Sequence, residues 1–176
     1  MKKQYFLLFF LLIFFAFPAV VTDAQCTEYA RLKNYYTWMT PKRLGIILFY
    51  AHKHNIEVDK ICGLIQEESW GNSTAISCTG ARGLMQIMPK YHYSHGNPEN
   101  LNRDDALNIS TGVRVLSKYM YAAKRLYGKN YHSETYRFYN AGPFSSRKNY
   151  QNWAYVNRIL KNIKITRKIK FIVTIL

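Results

Sequence analysis

Glu68 is the residue of this chain whose setting points to acid–base chemistry, and it closes the run 61–68, Ile-Cys-Gly-Leu-Ile-Gln-Glu-Glu. On a helix of 3.6 residues per turn, Ile61, Leu64, Ile65 and Glu68 fall at i, i+3, i+4 and i+7, so the carboxylate shares a stripe with aliphatic side chains. Glu67 turns to the flank, where a helix shoulder meets water. A lone carboxylate among Ile and Leu solvates its charged form poorly, which raises its pKa and holds its proton near neutral pH. That is the property of a general acid. The same spacing fits a plainer role, in which Glu68 ends the helix or pairs with one of the chain's 25 Lys and Arg residues.

The residues after Glu68 separate these two roles. Ser69 ends the helix, and a turn-forming run of Gly71, Asn72, Ser73 and Thr74 leads to Gly80, Gly83 and an apolar block, 84–88, closed by Pro89. The stretch resembles the lytic transglycosylase family with the soluble-lytic-transglycosylase (SLT) domain, related to goose-type lysozyme, whose members carry a Glu-Ser pair, a loop, and G-A-x-G-L-M-Q-x-M-P. Glu68-Ser69 matches the pair, and Gly80, Ala81, Gly83, Leu84, Met85, Gln86, Met88 and Pro89 match the second element. Tyr139, Asn140, Ala141, Gly142 and Pro143 match a third element, A-Y-N-A-G-P, with Phe138 in place of the small Ala. Tyr155-Val156 matches a fourth.

The resemblance implies a mostly α, lysozyme-like (goose-type/SLT) helical domain with a substrate cleft. It implies cleavage of the β-1,4 bond between N-acetylmuramic acid and N-acetylglucosamine in peptidoglycan. Glu68 would protonate the glycosidic oxygen and then, as carboxylate, deprotonate the muramyl 6-hydroxyl, which closes on the anomeric carbon as a 1,6-anhydro ring. No second carboxylate, metal or other cofactor is implied. Ser69 would hydrogen-bond near the reacting sugar, and Met85 and Gln86 would line the saccharide groove. Asn140 would fix the sugar or the surroundings of Glu68, Tyr139 would contact substrate, and Tyr155 would hold the carboxylate. Each also has a structural reading: Met85 as core, Tyr139 as packing, Tyr155 as a satisfied buried phenol.

Two rivals stand beside this reading. In a lysozyme on the same fold, a second carboxylate from Glu67, Asp104, Asp105 or Glu134 would activate water. In a non-enzymatic wall-binding or assembly protein, charge alone would suffice: 25 basic against 10 acidic residues give +15. Such a surface seeks polyanions, meaning nucleic acid, anionic lipid or an acidic wall polymer. No nucleic-acid-binding signature is present. The family resemblance implies peptidoglycan strands as the partner and a secretion, conjugation or pilus machine as a further candidate, and the chain is expected to be a monomer.

The remaining segments set the frame. The 176 residues, 48% hydrophobic, suit one domain with a modest core. Residues 1–24 read as a signal peptide, with Lys2 and Lys3, an apolar run and cleavage after Ala24, and they imply export to the periplasm or cell envelope. An uncleaved anchor is the alternative. Residues 25–160 form the expected catalytic domain and 161–176 a basic, apolar tail that either touches a membrane or wall polymer or frays in solvent. Of three cysteines, Cys62 and Cys78 could form a bridge beside Glu68, or all three could be free thiols. No Cys and His spacing suggests a metal site.

Four helices are read around Glu68. Thr40 and Pro41 open the first, with Leu44, Ile47, Leu48 and Ala51 on one face up to His54. The Glu68 helix comes next, over 59–69. After a loop at 91–102, the longest helix starts at Asp104 or Asp105, carries Ala106, Ile109, Val113, Leu116, Met120 and Tyr127, and stops at Gly128. A short helix at 133–138 then ends at the Asn140–Pro143 turn.

Overall fold

The computed structural model describes residues 18–145 and 149–175. The apolar stretch of the expected signal peptide, residues 1–17, lies outside the described residues. The main helices are α1 (Pro18–Lys33), α2 (Pro41–His54), α3 (Val58–Ser69), α4 (Asp105–Tyr127), α5 (Tyr131–Ala141) and α6 (Tyr150–Ile175). Among the described residues, no helix is long and apolar enough to cross a membrane.

The ends of these helices follow from their capping residues. Thr40 accepts a hydrogen bond from the Arg43 amide at 3.2 Å, and Pro41 needs no donor at the first turn. Asn55, at φ +51, closes α2 in the left-handed conformation that its short polar side chain tolerates. Asp104 caps α4 through the amides of Ala106 and Leu107, at 2.8 and 3.1 Å. Helix α3 ends on Trp70 at φ +54, an uncommon left-handed conformation for a bulky residue.

Helix α3 lies at the centre. Ile61, Cys62, Gly63, Leu64 and Ile65 are all buried, so it is covered on more than the one stripe read from the sequence. Gly63 permits this: a Cβ there would stand 3.0 Å from the Ile163 side chain of α6. The two helices approach closely for that reason.

Two expectations change. Among the described residues the longest helix is α6, at 26 residues against 23 for α4. Helix α6 runs on through residues 161–175 of the expected tail and buries Ile163 and Thr166 after Ile159, at i, i+4 and i+7. Arg31 of α1 fixes this end. Its buried guanidinium donates to Asp59 Oδ1 at 2.8 Å and to the Thr166 carbonyl at 3.0 Å, and it pairs with Glu28. One side chain thus ties α1, the start of α3 and the second half of α6 together.

Of the two readings of the cysteines, no bridge joins Cys62 and Cys78. Both are free; Cys62 is buried on α3, whereas Cys78 is exposed in the loop. Helix packing directs Cys62 toward the interior, away from solvent-facing Cys78.

Candidate active site

The segment between Glu68 and Pro89 folds back on itself through local hydrogen bonds. Arg82 pairs with both Ile76 and Ile87 in isolated antiparallel bridges, and the Gly83 amide donates to the Ala75 carbonyl at 2.8 Å. Gly83 sits at φ +74, and a Cβ on it would meet Asn108 Nδ2 and the Leu101 carbonyl at 2.2 Å. Only glycine fits that position.

Asn108, in the first turns of α4, is the clasp. Its amide nitrogen donates to the carbonyls of Arg82 (2.9 Å) and Leu101 (2.7 Å), and its oxygen accepts from the Met85 amide at 2.8 Å. Sequence reasoning missed this role, because an Asn early in a helix reads as a surface residue. Met85 is then driven inward. Its side chain is fully buried against Gly112, where a Cβ would stand 2.4 Å from the sulfur. This corrects the expectation that Met85 lines the groove: its side chain is core, and its carbonyl accepts from the Tyr139 hydroxyl at 2.9 Å.

Ser69 is likewise internal. Its hydroxyl donates to the Leu84 carbonyl at 2.8 Å and accepts from the Gly71 amide at 3.2 Å, so it straps the end of α3 to the loop rather than facing a sugar. Gln86, at φ +45 and half-buried, directs its amide nitrogen to the carbonyls of Gly83 (3.0 Å) and Ala75 (3.3 Å). Asn140 is exposed at the end of α5, and its amide donates to Oδ1 of the buried Asn152 at 3.2 Å. Nothing in the sequence around Asn152 marks it for that contact.

Glu68 is half-buried at the C-terminal end of α3, beyond Leu64 and Ile65. The buried Tyr155 of α6 donates its hydroxyl to Glu68 Oε1 at 2.5 Å. Burial raises the Glu68 pKa to about 8, the Tyr155 hydrogen bond opposes that rise, and the charge of Glu67 adds to it. Burial and then the field of Glu68 push the Tyr139 phenol well above its ordinary range, which places Tyr139 in the same cluster. Glu68, Tyr139 and Tyr155 therefore come together from α3, α5 and α6.

The other carboxylates considered as second catalytic groups are engaged elsewhere. Glu67 pairs with Arg158 at 2.6 Å, Asp105 with Arg43 at 2.7 Å, and buried Glu134 with Arg137 at 2.6 Å; Asp104 caps α4. Phe138, the departure from the small Ala of the motif, is fully buried between the rings of Tyr119 and Tyr127, with the Arg137 guanidinium 4.8 Å from its centroid. The substitution is absorbed as packing. Among the described residues, no group of three or more His, Cys, Asp or Glu side chains is gathered as for a metal ion.

Comparison with known proteins adds to this geometry. The model of the transglycosylase SLT domain matches residues 45–159, from α2 into α6, and spans every side chain of the cluster. The chain belongs to the transglycosylase SLT domain family. The SLT domain also superimposes on a solved structure, an inactive Glu-to-Gln mutant of lytic transglycosylase Slt from Pseudomonas aeruginosa, with a TM-score of 0.59 and 21% identity. That match covers 70% of this chain and 24% of the Slt chain, so the SLT domain corresponds to about a quarter of the larger protein. It supports the lysozyme-like, helical fold. The family segment begins after α1 and ends before the second half of α6, so Arg31 and its contact on the Thr166 carbonyl lie outside it.

Proposed function

We propose that the SLT domain cleaves the bond between N-acetylmuramic acid and N-acetylglucosamine in peptidoglycan as a lytic transglycosylase, with Glu68 as acid and then base. The observation that carries the proposal is a single carboxyl group, Glu68 of the Glu68-Ser69 pair, held by the buried Tyr155 hydroxyl at 2.5 Å, with its pKa raised by burial to about 8. The inactivating change in the Slt relative is also from Glu to Gln.

The steps balance on one side chain. Glu68 gives its proton to the glycosidic oxygen, and the bond from the muramyl anomeric carbon to that oxygen breaks. The resulting carboxylate takes the proton of the muramyl 6-hydroxyl, whose oxygen bonds to the anomeric carbon. The proton returns to Glu68, water is not consumed, and the product carries a 1,6-anhydro ring. Tyr155 holds the carboxylate through both steps. The engagement of Glu67, Asp104, Asp105 and Glu134 disfavours a second carboxylate that would activate water.

The substrate lies outside the cytoplasmic membrane, in keeping with the export signal read in residues 1–24. Mass spectrometry of muropeptides released by the wild type and by Glu68→Gln tests the reading. Anhydromuramyl ends from the wild type and none from the variant are expected. Reducing ends would make the protein a hydrolase, and wall lysis by Glu68→Gln would remove Glu68 from the chemistry.

A further inference from the structure

Helix α6 runs antiparallel to α3. Its Tyr155 reaches Glu68, Arg158 pairs with Glu67, and Arg167 pairs with Glu57 just before the start of α3. The first turns of α6 therefore stand at the reaction centre, and its second half leads away from it. Lys168 lies roughly 20 Å along the helix from Tyr155, at the rise of an α-helix. Arg31 holds this half against the domain through the Thr166 carbonyl at 3.0 Å.

The half of α6 far from Glu68 carries a cationic stripe. Lys161, Lys164 and Lys168 are exposed and fall at i, i+3 and i+7, on the face opposite the buried Ile159, Ile163 and Thr166. Among the described residues none of the three pairs with a carboxylate, because the nearby ones are engaged: Glu28 and Asp59 with Arg31, Glu57 with Lys60 and Arg167. Like charges at this spacing repel one another unless something answers them. In the sequence the stripe is followed by Phe-Ile-Val-Thr-Ile, residues 171–175, with no charged side chain. The family segment ends at residue 159, before the stripe begins.

We propose that the lysine stripe of α6 docks the domain on a bilayer with anionic headgroups, with Glu68 held at the opposite end and turned away from the lipid. Lys161, Lys164 and Lys168 supply the charge that pairs with lipid phosphates. The uncharged residues 171–175 favour a bilayer over a soluble acidic polymer, which gives apolar residues nothing to enter. A neutral bilayer offers the stripe no partner. The lipid contact stands independently of the peptidoglycan reading.

The test pellets the exported chain with phosphatidylcholine vesicles that contain or lack phosphatidylglycerol. The wild type is expected to bind the anionic vesicles and to leave the neutral ones in solution. In K161Q/K164Q/K168Q the partition coefficient should fall roughly 100-fold, the worth of three lysines near an anionic surface. The control K42Q/K90Q/K129Q removes three exposed charges on other elements and should bind as the wild type does. Equal losses in both variants, unchanged binding in K161Q/K164Q/K168Q, or equal binding to neutral vesicles overturns the proposal. Retention on polyglutamate beads through the same lysines, without binding to anionic vesicles, would assign the stripe to an acidic polymer and overturn it as well. Fluorescence reads the orientation, because all three tryptophans stand toward the Glu68 end: Trp38 is bonded to Gln66 at 2.7 Å, Trp70 ends α3, and Trp153 precedes Tyr155 on α6. With a spin-labelled phosphatidylcholine headgroup in the vesicles, emission of the bound protein should stay unquenched. Quenching would put the Glu68 end on the bilayer and overturn the orientation.

Discussion

The Tyr155 hydroxyl stands 2.5 Å from Glu68 Oε1, and this contact joins the last helix of the family segment to the carboxyl group at the end of α3. The phenol is buried, and its own pKa is raised by burial and by the charge of Glu68, so it keeps its proton and stays a donor to the carboxyl group. Donation to a carboxylate favours the charged form and pulls the Glu68 pKa down against the effect of burial.

Tyr155→Phe removes that donor without emptying the site. The Glu68 pKa should rise further, and the alkaline limb of kcat/KM, expected near pH 8 in the wild type, should move up by roughly one pH unit, the worth of one charge-assisted hydrogen bond. The rate should fall by about one to two orders of magnitude, because the carboxylate is no longer aimed. A pH–rate profile checks both. An unmoved limb would mean that Tyr155 serves packing alone.

Glu68 should also cost the protein stability as pH rises. Its folded-state pKa is about 8, above the ordinary carboxyl value of 4.5, so the folded protein binds more protons than the unfolded chain between those values. Stability attributable to this group is therefore full below about pH 4.5 and declines as pH climbs toward 8. Glu68→Gln keeps an acceptor for Tyr155 and carries no charge. Its melting temperature should exceed that of the wild type at pH 8, by an amount on the order of 2 kcal/mol in stability, with the gap closing toward pH 5. Thermal melts at the two pH values decide the matter; a gap of constant size would contradict the raised pKa.

The helix that carries Glu68 was readable in the sequence because its signal is local. Ile61, Leu64, Ile65 and Glu68 repeat with the helical period, and Thr40-Pro41 and Asp104 mark helix starts by their own hydrogen-bonding chemistry. The roles that were not readable depend on distant partners. Asn108 acts on Arg82, Met85 and Leu101, and nothing near position 108 shows those groups converging. Met85 and Ser69 belong to the motif, yet a motif fixes residue type and not the direction of a side chain. The second half of α6 carries Lys161, Lys164, Arg167 and Lys168 on its exposed positions, and those charges hid the buried stripe of Ile159, Ile163 and Thr166.

The loop that carries Gln86 should fail when its clasp is cut. Asn108→Leu removes three hydrogen bonds and leaves the Met85 amide without its acceptor, at a cost of about 3 kcal/mol at roughly 1 kcal/mol per bond. Gly83→Ala meets the same atoms from the other side and adds the strain of a side chain at φ +74, so a comparable loss is expected. The two substitutions act on one contact, and the double variant should be less destabilised than the sum of the singles. Urea unfolding of all three proteins measures the coupling; strict additivity would show that Asn108 and Gly83 act independently.

Thiol chemistry separates the three cysteines by their burial. Cys26 and Cys78 are exposed, whereas Cys62 is fully buried and its thiol is pushed well above the ordinary value, by burial first and then by Asp59. A thiolate is the reacting species, so Cys62 is protected twice, by access and by ionisation. Under native conditions a maleimide should label Cys26 and Cys78 within minutes and Cys62 only as fast as the packing between α3 and α6 opens. Arg31→Met leaves Asp59 buried without its cation, a change worth about 3 kcal/mol or more, and frees the end of α6 from α1. Labelling of Cys62 should then accelerate by about two orders of magnitude while that of Cys78 stays constant. Mass mapping of the labelled peptides reports each site separately, and equal acceleration at Cys78 would point to loosening of the whole domain in place of release at the Arg31 clasp.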